Sequence, residues 1–573
     1  MLAERKHPGR STPVTRLGAA LTVGVALLAA AFGSAPASAA TAGAPVQVAV
    51  VVPIIVPSGT TGLIGADSLA QFTSPFGLLT RQLDATIDRP VTLAIDPMII
   101  ASIRILGTAA PESAVAWLDR LATATNDTFA LAYGDGDLTL ATQAGTATVL
   151  APESLDFAID PALFAPATAG ENTPTPSATP TSDPTLTPTP TPSVTADPEV
   201  PALPTTADLL SWQYTLTGVA WPRDNTAVAA DLPKITSSGY STTILSSQNI
   251  SAPTSGGPVA EVEGNRVLVS DSVASDALRT AVGSFAAEEW AASMTTLGST
   301  IAAAGGAQTA DTATVVATLG RSVPLSASRL SDTITALDAD PQVTLVPLSQ
   351  AMGLAPTEAT VVDQPQAADR VAQASRVLAA ESAVAEYSQI AADPLAITAP
   401  RRLEVLALFS NVWVSNPTGW PGVTDDFVAA SFELRDSVQL VKSSKLNLIA
   451  DNGQYLPIKV SNDLDQPVTV YVTARPSSGL LLVTEPRVEL VIPANSQAKV
   501  DVPVRSLSNG VVVVNVALTS SAALPIGSSI STEVNVQAGW ETPIVVAFFA
   551  LIVLVFGFGI VRTILKRRRS RDD

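Results

Sequence analysis

The stretch VQVAVVVPIIVP, residues 46–57, contains no charged side chain and is rich in β-branched residues. A continuous run of this kind is typical of a strand that is covered on both faces, as in a parallel sheet between helices. A second run, VTLAIDP at residues 91–97, ends on an aspartate and a proline. The two runs predict the first strands of an α/β domain, with a carboxylate at the exit of the second.

Strand-like and helical patterns alternate after these two runs. Further strands are predicted near residues 128–133, 241–245, 266–270 and 344–347, and helices at 75–85, 112–124, 276–297 and 326–336. Alternation of this kind predicts a mainly parallel sheet with right-handed crossovers. We therefore expect residues 41–355 to form a degenerate (β/α)-barrel-like domain.

A Pro/Thr-rich segment at residues 171–206 interrupts this α/β pattern. It has no apolar period, so it is expected to be a disordered insertion in a surface loop. Its threonines leave O-mannosylation open beside the role of a plain spacer. Residues 366–392 and about 424–442 follow a helical period, which predicts a helical segment within residues 356–442.

The composition changes at residue 443. From there to residue 538, about seven short strands alternate apolar and polar residues and are separated by turn signals such as NDLDQP and LSNG. This pattern predicts an immunoglobulin-like β-sandwich.

Both ends of the chain carry targeting signals. Residues 1–40 combine a basic start, an apolar run and small residues at Ala37 and Ala39, which predicts a signal peptide. Residues 543–561 hold no charge, which predicts a transmembrane helix over 543–565. The basic tail at residues 566–573 places the C-terminus in the cytoplasm. We expect a single-pass protein of the cell membrane with its ectodomain outside.

Charge and composition exclude several classes of function. The net charge is −19, and because both ends are basic, the region between them is more acidic still. An acidic ectodomain disfavours nucleic acid as a partner. The chain has no cysteine, and its single histidine, His7, lies in the predicted signal peptide. A Ser-His-Asp triad, a His-ligated metal site and thiol catalysis are therefore impossible in the mature chain, and we expect no metal and no cofactor.

Candidate chemistry is restricted to carboxylates. Aspartates follow strand-like runs at Asp96, Asp135, Asp160 and Asp271, with Asp137 close to the second. A barrel would gather such residues at its carboxyl-terminal rim, and a glycosidase needs only two carboxylates about 5–10 Å apart. Aspartates before helices also cap free backbone amides, which is the structural alternative for each of them.

Two tryptophans are candidate ligand contacts. Trp212 and Trp221 lie in SWQYTLTGVAWP, just after the Pro/Thr-rich segment. The apolar face of an aromatic ring stacks well on a sugar, whereas core packing is the alternative at these positions.

Five pieces occur in a characteristic order: VTLAIDP (91–97), LAYGDGDLTLA (131–141), GVAWPRDNT (218–226), RVLVSDSVASDAL (266–278) and VTLVPLSQAMG (343–353). Together with the sandwich and the basic tail, they resemble an uncharacterised domain-of-unknown-function family of actinobacterial membrane-anchored envelope proteins. The genes of that family often lie beside that of a peptidoglycan-precursor flippase, so the resemblance implies work in the cell envelope. More distantly, the α/β region resembles polysaccharide deacetylases and related glycoside hydrolases, but the histidine ligands of a deacetylase are missing here.

We therefore expect a non-catalytic protein that binds or scaffolds in the assembly of peptidoglycan or wall glycan. Its partners would be cell-wall glycan or membrane proteins of envelope assembly. The alternatives are a carboxylate-only glycoside hydrolase that acts on cell-wall polymer, and a surface stalk or adhesin. Two carboxylates that flank one pocket would favour the hydrolase, whereas capped or dispersed aspartates would favour binding.

Overall fold

The computed structural model describes residues 45–57, 59–164, 203–252, 256–310, 312–321, 329–442, 446–449, 454–537 and 541–569. The predicted signal peptide and residues 171–202 of the predicted insertion lie outside this described part.

The strands have the following bounds: β1 Val46–Ile54, β2 Thr92–Ile95, β3 Thr128–Ala130, β4 Val219–Ala220, β5 Thr242–Ser246, β6 Ile250–Ser251, β7 Val259–Val262, β8 Asn265–Ser270, β9 Thr314–Thr318, β10 Val343–Leu345, β11 Thr357–Glu358, β12 Thr360–Val361, β13 Val438–Val441, β14 Leu446–Ile449, β15 Gln454–Asn462, β16 Val468–Pro476, β17 Leu481–Val483, β18 Arg487–Ile492, β19 Ser496–Ser506, β20 Gly510–Thr519 and β21 Pro525–Gln537.

The helices are α1 Ala66–Phe72, α2 Leu78–Thr86, α3 Pro97–Ile105, α4 Glu112–Ala122, α5 Leu138–Gln143, α6 Thr206–Leu210, α7 Asp231–Ser237, α8 Ser272–Gly283, α9 Ala287–Gly306, α10 Leu330–Asp338, α11 Leu348–Met352, α12 Ala368–Ser388, α13 Leu395–Leu408, α14 Trp420–Arg435 and α15 Glu541–Arg569. The fold thus mixes helices and sheets.

Strand β1 organises the first sheet. It pairs in parallel with three strands: β9 along residues 47–51, β10 over residues 46–48 and β2 over residues 51–54. Strand β3 extends the sheet beside β2. As the apolar run at residues 46–57 predicts, β1 is covered on both faces, and residues 48–54 are all buried.

A second sheet has the strand order β11-β7-β8-β5-β4. Two backbone hydrogen bonds connect it to the first sheet. The N–H of Leu216, just before β4, donates to the carbonyl of Thr128 in β3 at 2.9 Å. The N–H of Asp271, just after β8, donates to the carbonyl of Val316 in β9 at 2.8 Å. The two sheets therefore meet at β3 and at β9, the two edges of the first sheet where these bonds form.

One apolar layer lies between the two sheets. It receives buried side chains from eight strands: Ala49 and Val51 of β1, Ala94 of β2, Phe129 of β3, Val219 of β4, Ile244 of β5, Val259 of β7, Leu268 of β8 and Val316 of β9. The alternate residues of β1, such as Val50 and Val52, join a larger cluster with the surrounding helices. Since side chains of a strand point alternately to opposite faces, β1 contributes to both layers.

The C-terminal sheets form a separate apolar core. Strands β13, β15, β19 and β17 make one sheet, and β14, β21, β20, β16 and β18 make the other. Buried residues of both, such as Val460 and Val514, belong to one cluster. Residues of α12 and α13, such as Tyr387 and Ile397, pack into the same cluster, so the helical segment is attached to these sheets.

Helix α15 contains the predicted transmembrane segment. Residues Ile544–Arg568 are the one helix in the described part of the chain that is long and apolar enough to cross a membrane. The prediction of a C-terminal apolar helix is confirmed at this level.

Several local predictions were wrong. Residues 438–441, predicted as helix, form β13, because the alternating residues Val438 and Leu440 are buried in the core of the C-terminal sheets. The predicted helix at 276–297 is two helices, α8 and α9. The run before Asp160 is a 3-10 turn, Asp156–Ala158, and not a strand.

Candidate functional site

The candidate site lies where parallel strands of the first sheet end. Asp96 follows β2, Asp135 comes five residues after β3, and Arg321 comes three residues after β9. Because β1, β2, β3 and β9 are parallel, their carboxyl ends meet at one edge of the sheet, which is where α/β proteins keep their ligand sites. Trp221 follows β4 and joins them across the contact between the sheets.

Asp96 is the N-cap of α3. Its Oδ1 accepts hydrogen bonds from the backbone amides of Met98 and Gly134, both at 2.9 Å. Pro97 occupies the first helical position, where its missing N–H costs nothing. The capping role expected for an Asp-Pro pair is thus present, and the second bond ties the cap to the turn after β3.

Burial gives Asp96 an unusual proton affinity. The side chain is 1% exposed, and desolvation raises its pKa from 3.8 to about 7. The charge of Asp135 raises this pKa further, whereas the backbone amides of Met98 and Gly134 oppose the shift. Asp96 is therefore a neutral acid over much of the range below pH 7.

A cavity of about 390 Å³ opens beside Asp96. One wall comes from the segment after β1, at residues 56–57 and 59–65, and from α1. The other includes Ala407, in the last turn of α13, and Ser410 and Val412, which follow that helix. Tyr133 holds part of this wall, since its hydroxyl donates to the carbonyl of Gly62 at 2.8 Å. Asp96 is the carboxylate that lines this cavity.

Asp135 takes part in a buried ion pair. Gly134 and Asp135 both adopt positive φ, 68° and 48°, a conformation that glycine and aspartate tolerate better than most residues. This turn directs the amide of Gly134 to Asp96 and leaves the Asp135 carboxylate facing Arg321. The Nε of Arg321 donates to Oδ1 of Asp135 at 3.1 Å.

Arg321 connects three strand ends. Its Nη2 donates to the carbonyl of Trp221 at 2.9 Å, and its guanidinium lies 3.8 Å from the centre of the Trp221 ring. Burial raises the pKa of Asp135 above its ordinary 3.8, while the Arg321 charge lowers it. Sequence reasoning missed Arg321, although an arginine just after a buried strand is a signal of a buried partner.

Asn411 fixes the other side of Asp135. Its Nδ2 donates to the backbone carbonyl of Asp135 at 2.9 Å and to Oδ1 at 3.3 Å. Within the described part of the chain, three buried polar atoms at this rim lack a hydrogen-bond partner: Oδ2 of Asp135, Oδ1 of Asn411 and Nε1 of Trp221. Asn411 was not predicted, since it begins a short 3-10 helix after α13, Asn411–Ser415, that has no sequence motif.

Asp137 is a structural residue. Its Oδ1 accepts from the amide of Leu140 at 3.1 Å and caps α5, and its Oδ2 accepts from Gln366 at 2.8 Å. Arg370 lies 3.7 Å from the same oxygen. These contacts attach the segment before α12, and α12 itself, to the α/β domain.

The remaining predicted aspartates lie elsewhere. Asp271 caps α8 by accepting from the amide of Ala274 at 2.8 Å, and it lines a different cavity of about 310 Å³. Asp160 is exposed and accepts from the amide of Ala162 at 3.0 Å. Of the four predicted catalytic candidates, the structure brings together Asp96 and Asp135.

The two predicted ligand-binding tryptophans are not neighbours in one surface. Trp221 is buried in the layer between the sheets, beneath Arg321. Trp212 is half-buried against the larger helix-covered cluster, with Arg104 5.6 Å from its ring centre. Neither ring faces the cavity beside Asp96.

The arrangement favours hydrogen bonding over acid–base catalysis. A glycosidase needs a second carboxylate that is free to act as base or nucleophile beside the acid. Here Asp135 is engaged by Arg321 and Asn411 and is not among the residues that line the cavity. In the described ranges, no three His, Cys, Asp or Glu residues lie close enough to hold a metal ion.

Comparison with known proteins gives one match over the length of the chain. A sequence model for a family of unknown function, DUF6049, matches residues 44–572, so the chain belongs to that family. No curated protein matches the sequence.

Matches to solved structures are partial. E. coli alpha-2-macroglobulin is 17% identical, with a TM-score of 0.14, over 17% of this chain and 7% of that one. WR4, an MSP family member of C. elegans, is 10% identical, with a TM-score of 0.14, over 18% of this chain and 99% of that one. The E. coli chaperone DraB is 17% identical, also with a TM-score of 0.14, over 18% of this chain and 55% of that one. Likeness at this level supports no conclusion on function.

Asp96→Asn tests the buried acid. Because the folded pKa is about 7 and the ordinary value is 3.8, folded protein binds more protons than unfolded protein between these values. Protonation of the Asp96 carboxyl therefore stabilises the folded wild-type protein fully at low pH, and this stabilisation is lost as the pH rises toward 7. Asparagine cannot ionise, so the Tm of Asp96→Asn should rise relative to wild type from pH 5 to pH 8. A difference that stays constant across this range would contradict the assignment, and exposed Asp160→Asn is the control.

Arg321→Met tests the buried ion pair. The variant leaves Asp135 buried without its cation, so the free energy of unfolding should fall by about 3–5 kcal/mol. Adding Asp135→Asn should recover part of this loss. Arg120→Met is the matched control, since its pair with Asp84 is half exposed and should contribute no more than about 1 kcal/mol. Equal losses in urea unfolding for both arginines would refute the role of the pair.

Proposed function

We propose that this member of the family is a membrane-anchored envelope protein whose α/β domain binds wall glycan without cleaving it. The observation that carries the proposal is the state of the two neighbouring carboxylates. Asp96 is held by two backbone amides beside an open cavity, and Asp135 is neutralised by Arg321. A cavity with one acid and no free partner supports recognition of a ligand.

The cavity suits a sugar unit. About 390 Å³ lies within the usual size of small-molecule sites, roughly 300–1,000 Å³. Hydroxyl-bearing residues Thr60, Thr61, Ser68 and Ser410 line it together with apolar Phe72. Such a mixture offers hydrogen bonds to sugar hydroxyls and an apolar surface to the ring face. Asp96 adds either a donor or an acceptor, according to pH.

A carboxylate-only glycoside hydrolase is the second candidate. The observation in its favour is the pKa of about 7 at Asp96. Such a pKa keeps a large share of this carboxyl group protonated near neutral pH, as a general acid requires. It would require a base or nucleophile that approaches the opposite side of the substrate. We rank the hydrolase below binding because Asp135 could act as the base or nucleophile only if its ion pair with Arg321 were broken.

The proposal includes the type of each domain and the orientation of the chain in the membrane. The two hydrogen bonds between the sheets and the apolar layer shared by eight strands support a degenerate barrel-like α/β domain, and the C-terminal sheets support an immunoglobulin-like sandwich. The signal-peptide pattern and basic tail support an exported N-terminal region and a cytoplasmic C-terminus. An actinobacterial envelope role follows from the resemblance alone, as do envelope-assembly membrane proteins as alternative partners.

Gly65→Trp tests the proposed cavity. Gly65 lines the cavity, and a Cβ atom added there would meet no heavy atom within 4 Å. An indole at this position should obstruct the cavity, so sedimentation of the full-length detergent-solubilised protein with insoluble wall glycan should weaken at least about tenfold. Gly298→Trp in α9 is the matched control, with equally open surroundings away from the cavity. Unchanged binding of Gly65→Trp would refute this site.

A further inference from the structure

Exposed apolar side chains from both sheets lie at one end of the C-terminal sandwich. Leu482 is 48% exposed, Leu507 is 47% exposed and Val511 is 64% exposed. Tyr455, also exposed, adds an aromatic ring with a polar hydroxyl. The sandwich has its own complete core, so these four side chains are available outside it.

Strand register places the four residues at the same end. In the five-stranded sheet, β20 begins at Gly510 opposite Val536, next to the end of β21. In the other sheet, Leu482 lies opposite Arg505, and Tyr455 lies opposite Pro503, both near the end of β19. The N–H of Leu507 donates to the carbonyl of Leu480 at 2.8 Å, which joins the two connecting loops.

This is also the end from which the chain enters α15. Strand β21 ends at Gln537 and α15 begins at Glu541, so the two are four positions apart. Four positions span at most about 14 Å of extended chain. The apolar part of α15 begins at Ile544. If α15 crosses a bilayer, this end of the sandwich therefore lies at the level of the lipid headgroups.

We propose that the sandwich inserts this apolar end, formed by Tyr455, Leu482, Leu507 and Val511, into the surface of the bilayer that α15 spans. The inference rests on the membrane anchoring in the proposed function and extends it to a second contact. Apolar side chains favour the boundary between headgroups and acyl chains, and tyrosine is typical of that boundary. The contact would fix the direction in which the α/β domain projects from the membrane.

The short connection between β21 and α15 favours lipid, rather than a partner protein, as the contact of these four side chains. A partner protein would have to reach the same end of the sandwich in the space next to the membrane. The four side chains carry no charge, so contact with a neutral phosphatidylcholine surface is sufficient. This distinguishes the proposal from attraction of basic residues to anionic lipid, which weakens with salt.

The absence of cysteine allows a direct test in the full-length chain. Val511→Cys carries an environment-sensitive fluorophore in phosphatidylcholine nanodiscs that contain lipid with a nitroxide headgroup. Val491→Cys is the matched control: it is 57% exposed on the same five-stranded sheet, at the opposite end, where β18 pairs with the start of β16. Val553→Cys within α15 reports the anchoring itself. Thermal melts establish that each labelled variant is folded.

The proposal predicts that the nitroxide quenches the Val511 label at least about twofold more than the Val491 label, with a blue-shifted emission, in both low and high salt. Equal quenching at the two sites, with Val553 buried in lipid, would overturn the proposal and leave the anchoring intact. A Val553 label that stays in water would refute the anchoring on which the proposal rests.

Discussion

Burial of both faces of β1 is the constraint on which the α/β domain depends. One face of this strand packs against surrounding helices, and the other enters the layer shared by eight strands. No position from Val48 to Ile54 is left for a polar group, because each is buried and apolar. Polar chemistry is therefore confined to the ends of the strands, where Asp96, Asp135 and Arg321 lie.

The same constraint supports the proposed binding role of the site. Carboxylates at the edge of an apolar layer lose hydration, so each needs compensation from nearby donors. Asp135 obtains it from Arg321 and Asn411, whereas Asp96 obtains two backbone amides and retains a proton up to about pH 7. The groups that stabilise these carboxylates also restrict them, and what remains accessible is a cavity with a single acid.

Sequence patterns predicted the elements better than the contacts between them. The apolar runs before Asp96 and Asp271 form β2 and β8, because short apolar runs rich in β-branched residues are a local signature of strands. The run before Asp160 has a similar composition but forms a 3-10 turn, since no neighbouring strand pairs with it among the described residues. Arg321 and Asn411 reach Asp135 across 186 and 276 residues, and no local pattern encodes such a contact.

We propose that the cavity beside Asp96 recognises glycan and leaves it intact. The most direct measurement incubates the full-length protein with isolated wall glycan and follows both bound protein and soluble fragments by mass spectrometry. We expect bound protein and no new soluble fragments over time. Defined sugar fragments that appear with wild type and disappear with Asp96→Asn would contradict it and identify a hydrolase.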